Sequence, residues 1–301
     1  VGGTTGTLIN LLVGFFVGLS SGATVVISQH YGANKEDKVQ WAVHTSIAFS
    51  ILGGIVLTVV GIGCSRWMLD LMNTPDDVVN HALIYMRVYF LGTIGNLIYN
   101  MGSGILRAVG DSKRPLYFLI ICCIVNIILD LVLVAGFHLG AGGAAVATVF
   151  AQGCSMLFCI IYLKHHDFMF DFKPSSFHFI KEEFHTLLRT GLPLSIQMVG
   201  TNFSFLILTT FINRAGGVAA SAAAGIVNNF NGFAILPEAA ISSAASAMIA
   251  QNMGKKDVKR SSKTMHCCLV LCIGVSLVVF TLMHIFPEQI FHLFGVKEDV
   301  L

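Results

Sequence analysis

Charge is what this sequence has least of. Asp, Glu, Lys and Arg together make up 11% of its 301 residues, less than half of the roughly 25% typical of a soluble domain. That scarcity excludes an ordinary water-facing surface. No G-x-x-x-x-G-K-[ST] run occurs, which disfavours ATP-driven work, and the eleven histidines form no HExxH pair. The eight cysteines show neither CxxC spacing nor a disulfide framework. Seven of them (Cys122, Cys123, Cys154, Cys159, Cys267, Cys268 and Cys272) fall in or beside apolar runs, where cysteine acts as a small hydrophobe. With no catalytic constellation and no sizeable polar domain, an enzyme is not expected, nor is a cofactor. Strict alternation of apolar and polar residues is also missing, which argues against a membrane β-barrel. The amino-terminal stretch lacks a basic n-region and so does not read as a signal peptide.

What fills the space is apolar. Hydrophobic residues reach 55%, mean hydropathy is +0.77, and the apolar material comes in eight runs, at 4–28, 42–63, 79–106, 116–136, 142–163, 186–212, 218–250 and 264–286. About 20 apolar residues at 1.5 Å per residue cross a hydrocarbon core of about 30 Å. The expectation is an all-α integral membrane protein.

Lys and Arg accumulate in cytoplasmic loops. If the first helix runs from outside to inside, fourteen of the eighteen fall inside, including Lys35, Arg107, Lys164 and Lys255. Arg66, Arg214 and Lys297 stay outside, and Arg87 lies within a span. The net charge of +2 is thus topology, spread over separate short loops, and no nucleic-acid face is expected. A multi-pass protein of the cell membrane follows, its surroundings lipid, with no obligate protein partner indicated.

The chain also repeats itself. "LSSGATVVISQHYG" (19–32) lies over "ISSAASAMIAQNMG" (241–254) at an offset of 222, and the register holds from "LMNTPDDV" (71–78) to "LFGVKEDV" (293–300). Both copies cross the membrane in the same direction, so the repeats are parallel, related by an axis along the membrane normal. Two lobes are expected, 1–165 and 186–301, joined by a cytoplasmic connector at 166–185, either a Phe-rich interfacial piece or a packed linker. If the duplication is complete, one helix precedes this stretch and three follow it.

These residues carry a resemblance. "GILRAVGDSKRPLYFLIICCIVNIILDLVLVAGFHLGAGGAAVATVFAQ" (104–152), "GLSSGATVVISQHYGANKEDKV" and "AAAGIVNNFNGFAILPEAAISSAASAMIAQNMGKKDVKRS" resemble the multidrug and toxic compound extrusion (MATE) family, in its bacterial DinF-like branch. The resemblance implies a twelve-helix, two-lobed bundle, with helices 2 to 9 present here. It implies antiport of H⁺ or Na⁺ against amphipathic, often cationic compounds. It also implies a cation site in the first lobe, where an Asn-x-x-x-Asp pair matches Asn126 and Asp130 and a threonine matches Thr148. The family's first-helix aspartate has no position in this sequence.

Each candidate has a plainer reading beside it. Asn126 and Asp130, four residues apart, share a helix face and offer hard oxygen ligands for Na⁺ or a protonatable site; the alternative is a buried Asp bonded to a neighbouring helix. Glu238 follows Pro237, a helix kinker, and is a candidate for substrate contact or a satisfied polar group between helices. Asn228, Asn229 and Asn231 are candidates for the cavity wall or for interhelical glue. Arg107 and Asp111, at the inner end of a helix, are a candidate cytoplasmic gate, or simply charges at a helix terminus. "GLSSG" (18–22) matches a nucleophile elbow only by chance, and "GAGGAA" (140–145) is no dinucleotide loop, since no strand precedes either; close helix packing explains the second. The functional expectation is cation-coupled multidrug export by alternating access. The alternative is a flippase for lipid-linked precursors, which would need a more basic cavity.

Overall fold

The structure, a computed structural model, describes the backbone of residues 2–71, 76–166, 168–172 and 179–286, with side chains for all of these except 2–8, 71, 76–78, 206, 209, 210 and 213–230. The described residues form eight α-helices and one π-helical turn. They are α1 (Gly2–Gly32), α2 (Glu36–Leu71), α3 (Asp76–Leu91), α4 (Thr93–Ala108), α5 (Lys113–Asp130), α6 (Gly140–His165), α7 (Lys181–Gly254) and α8 (Val258–Ile285), with the π-turn at Leu131–Gly136. No strand occurs among them.

Six described helices are long and apolar enough to cross a membrane, or seven if the bent pair α3–α4 counts as one. The run expected at 79–106 breaks at Gly92 with a 46° bend. Thr93 Oγ1 donates to the Phe90 carbonyl, and a Cβ at Gly92 would press on Val149 of α6. The bend falls at a glycine and serves the approach of α6, a demand that does not mark Gly92 out from the many other glycines of the spans.

The runs expected at 186–212 and 218–250 belong to one helical stretch, α7, which doubles back. Gly191 touches α1 at Gly22 and Gln251 touches it at Gly32. Sixty residues of straight helix would separate those contacts by about 90 Å, whereas ten residues of α1 span about 15 Å. The reversal falls between Asn202, beside Gly14, and Ala239, which faces the same cavity.

Small residues let the helices meet. Gly14, Gly18 and Gly22 lie four apart on α1 and carry Asn202, Ser195 and Gly191 of α7 against them. In lipid, apolar burial drives helix association little, so close backbone approach and interhelical hydrogen bonds take over. Ser195 Oγ supplies one of these, donating to the Phe15 carbonyl at 2.6 Å. The glycines of the "GLSSG" stretch are thus packing surface.

One apolar cluster surrounds Val26, Ile27, Val43 and Ile105, and a second surrounds Leu57, Leu69, Met86 and Phe90. Phe170 of the connector is buried in the first cluster, with Phe168 stacked on it at 5.2 Å. The His44 ring meets the Asp171 carbonyl at 2.6 Å. The described part of the connector is thus a packed linker. Outward, α5 and α8 display rows of Ile, Leu and Phe, which suit lipid. Trp41 and Trp67 stand exposed on α2, 26 residues or about 39 Å apart, the spacing of the two interfacial belts of a bilayer.

The duplication is visible in the backbone. α1 ends at Gly32 and α7 at Gly254; α2 begins at Glu36 and α8 at Val258, each pair 222 apart. The loops between them even share a left-handed residue, Asn34 at φ 57° and Lys256 at φ 60°. Such a conformation costs a non-glycine residue about 1 kcal/mol, so its occurrence at matching positions marks one loop design used twice. Gly32 packs on the Gln251 backbone and Gly254 on the Gln29 backbone. This reciprocal pattern is that of a two-fold relation.

Candidate functional site

Asp130 closes α5, and the π-turn begins immediately after it. There the Phe137 amide bonds the Val132 carbonyl, five residues back, at 2.9 Å; single π-turns inside α-helices are frequent at functional sites. Asp130 Oδ1 and Asn126 Nδ2 are both buried without a hydrogen-bond partner, a costly state that asks for an explanation. α6 packs on both α5 and α3. Its Ala145 and Ala147 are fully buried, and Gly142 and Gly143 meet Ile84 and Leu133. The "GAGGAA" stretch is therefore a packing face too.

Thr148, on α6, donates to the Ala144 carbonyl at 2.9 Å, which leaves its oxygen lone pairs available. Sequence reasoning passed over the rest of this polar group. One turn beyond Thr148, Gln152 has a buried, unpartnered Oε1, while its Nε2 reaches the Tyr89 hydroxyl at 3.5 Å. Tyr89 stacks on Tyr85, with ring centroids 6.3 Å apart. Carboxylate, hydroxyl and amide oxygens are the hard ligand types that suit H⁺ or Na⁺; α5 supplies Asp130 and Asn126, and the α6 that packs on it supplies Thr148 and Gln152. Gln152 could have been found, since it lies four residues beyond Thr148 on the same face.

A cavity of about 650 Å³ lies between α1, α4 and the two limbs of α7, within the range of ligand pockets. Four of the six hydroxyls in its described wall come in repeat-related pairs, Ser21 and Thr24 on α1 with Ser243 and Ser246 on α7, again 222 apart; Thr201 and Ser242 complete the six. Asn10, Gln197 and Asn202 add amides, and Val13, Val17 and Met198 add apolar wall. These lining residues were not singled out from the sequence, although the repeat "SSGAT"/"SSAAS" displayed four of them.

The cavity candidates named from sequence fare differently. Glu238 does not line it; its Oε1 accepts from Ser276 Oγ of α8 at 2.6 Å, so it is a polar link between helices. The neighbours Ala239 and Ser242 occupy the wall, while the Glu238 carboxylate is turned to α8. Asn231 is half-buried on α7 but is not in the wall either. The side chains of Asn228 and Asn229 lie outside the described residues.

Arg107 and Asp111 are not brought together as a pair. Asp111 turns to α6 and its own loop, accepting from the Tyr162 hydroxyl at 2.9 Å and from the Arg114 amide at 3.2 Å. Arg107 instead lines the cavity, donating to Ser103 Oγ at 2.6 Å and leaving its buried Nε unpartnered. It sits at the closed end. The adjacent Ala108 carbonyl accepts from Gln251 Nε2 at 2.7 Å, beside the crossing of Gly32 and Gly254.

Comparison with known proteins places this architecture. A family model described as MatE matches residues 1–132 and 193–301. Among curated relatives, the probable multidrug resistance protein YoeA of Bacillus subtilis is 32% identical over 97% of this chain and 64% of its own length. The probable multidrug resistance protein NorM of Thermotoga maritima is 25% identical over 95% of this chain and 62% of its own. The chain thus spans somewhat under two thirds of these relatives. Of solved structures, a MOP-superfamily transporter from Pyrococcus furiosus, described as having a binding pocket of reverse polarity that suggests a different function, superposes with TM-score 0.92 at 23% identity, over 99% of this chain and 66% of that one. An outward-facing multidrug resistance MATE transporter superposes with TM-score 0.91 at 22% identity, over 99% and 67%. With two parallel repeats, a cavity between them and a family model spanning most of its length, the chain belongs to the MATE family of membrane transporters.

Proposed function

We propose that the protein of which this chain forms part is a secondary exporter of amphipathic organic compounds, working by alternating access in the plasma membrane with α1 running from outside to inside. Its two repeat-built lobes, 1–165 and 186–301 about the connector 166–185, rock about the cavity. Inward movement of H⁺ or Na⁺ drives the cycle by binding at Asp130, with Asn126 and Thr148 beside it. The observation that carries this reading is the unpartnered, buried oxygen of Asp130, a carboxylate that gains most by taking a proton or cation. Ion binding shifts the balance of lobe orientations by no more than the ion's difference in affinity for them.

The cationic substrate class implied by the family resemblance is the part the cavity supports least, because a guanidinium and no carboxylate stands in its described wall. The same guanidinium favours a second reading, movement of lipid-linked anionic compounds.

The test is export from proteoliposomes holding the full-length protein, under an H⁺ gradient in one set and a Na⁺ gradient in another, with Asp130→Asn beside wild type. Export driven by one gradient and lost in the folded variant supports antiport and names the ion. Export indifferent to both gradients and to the substitution removes it.

A further inference from the structure

The cavity's charge does not match a cationic cargo. α1 and α4 contain no Asp or Glu at all, and α7 contains only Glu182, Glu183 and Glu238. None of the three lines the cavity. Glu183 is buried against His30 at 3.2 Å, and Glu238 is held by Ser276. Asp111, four residues from Arg107, is engaged by Tyr162 and the Arg114 amide.

Arg107 therefore brings a positive charge to the closed end of a cavity whose other described polar groups are neutral. A guanidinium has five donors in a fixed fork, suited to bidentate pairing with carboxylate or phosphate. Here one hydrogen bond, to Ser103, is formed by NH1, and Nε is buried without any. A charge taken out of water with so little compensation is an unmet demand for an anion. Ser243 and Ser246 stand in the wall opposite Ser21 and Thr24; the latter pair already donate to the Val17 and Ser20 carbonyls, and each hydroxyl can turn its one O–H to an anionic oxygen instead. Val13, Val17 and Met198 offer apolar surface for a chain or ring.

We infer that the cavity selects amphiphiles carrying an anionic phosphate or carboxylate group, with Arg107 as the residue that holds that group. This rests on the export reading for its physiological sense, but its chemistry is separable from the coupling ion. The anion enters head-first toward α4 and displaces water from Nε, while its apolar part lies along α1 and α7. A monocation of equal size meets Arg107 as a like charge in a site of low dielectric.

The experiment is a binding comparison on the full-length protein in maltoside detergent, with dodecyl phosphate and dodecyltrimethylammonium as probes of equal chain length. Wild type should bind the phosphate about tenfold tighter or more, the scale of one charged hydrogen-bonded pair. Arg107→Gln should abolish the preference, and Arg107→Lys should keep part of it as a point charge. Ser243→Asp, which leaves Arg107 in place and adds a wall carboxylate, should reverse or cancel the preference even if Arg107→Gln fails to fold. In nanodiscs, competition by phosphatidylglycerol in wild type but not in Arg107→Gln makes a membrane lipid the source of the anion; its absence points to a soluble amphiphile. Equal or tighter binding of the cation by wild type, or a preference unchanged in Ser243→Asp and Arg107→Gln, overturns the inference. Gradient-driven export lost in Asp130→Asn would stand through that failure. Conversely, an Arg107-dependent preference without gradient-driven export would remove antiport and leave this assignment.

Discussion

Gly32 lies against the backbone of Gln251, and Gly254, its counterpart in the second repeat, lies against Gln29 in the same way. A Cβ on either glycine would overlap a carbonyl oxygen, so the two lobes meet here backbone to backbone. Gln251 adds a 2.7 Å bond to the Ala108 carbonyl. The contact closes one end of the cavity.

Gly32→Val or Gly254→Val should therefore disfavour the closed arrangement. Forcing side-chain atoms into a packed contact costs about 1–3 kcal/mol, and the two substitutions should not add, since they strike one crossing. Spin-label distances between the carboxyl ends of α1 and α7 should lengthen in each variant. Unchanged distances would mean that the crossing tolerates the added bulk.

The glycine row of α1 makes a second expectation. Gly18→Leu and Gly22→Leu face Ser195 and Gly191 backbone and should lower thermal stability by about 1–3 kcal/mol. Gly63→Ala on α2 has open space around its Cβ and should be neutral or slightly stabilising, by up to about 1 kcal/mol. Melting in a single detergent measures all three.

At the candidate ion site, Thr148→Val should weaken the apparent affinity for the coupling ion by about tenfold, the scale of one lost polar contact. Gln152→Leu, at the same face of α6, should act in the same direction. Titrating export against the driving ion separates this from a folding defect: the maximal rate should survive while the midpoint moves. A midpoint that stays put would exclude both side chains from the site.

Glu238 gives a test in the opposite sense. Because its carboxylate serves Ser276 rather than the cavity, Glu238→Gln should leave the ranking of exported compounds unaltered. Glu238→Ala should cost about 1 kcal/mol of stability by removing a hydrogen bond. A changed substrate ranking in Glu238→Gln would place the side chain in the substrate path after all.

The spans, the parallel duplication and the family could be read from residues alone, because a membrane leaves its mark on composition and a repeat leaves its mark on spacing. Other features could not. The 46° break at Gly92 answers Val149 across the helix interface, and a tertiary demand writes no local signal. The π-turn after Asp130 holds no proline, and Ala135 and Gly136 at its end do not distinguish it from an ordinary helix end. Glu238 and Asn231 draw attention as rare intramembrane polar groups yet stand outside the described wall, whereas Ser21, Thr24, Ser243 and Ser246 line it while looking like ordinary small packing residues. Their shared offset was the better clue. Arg107 was placed correctly at a helix end, but helix-end reasoning paired it with Asp111, which faces Tyr162 instead.

The facing hydroxyls have one last consequence. A wall that repeats Ser21 and Thr24 as Ser243 and Ser246 by a half-turn about the membrane normal offers a guest the same four handholds at two rotations about that axis, so those hydroxyls by themselves cannot tell one flank of a guest from the other. Arg107, on α4, stands outside that duplicated pair of walls. What sets the depth at which a guest's head rests is a charge the duplication did not copy into the described wall.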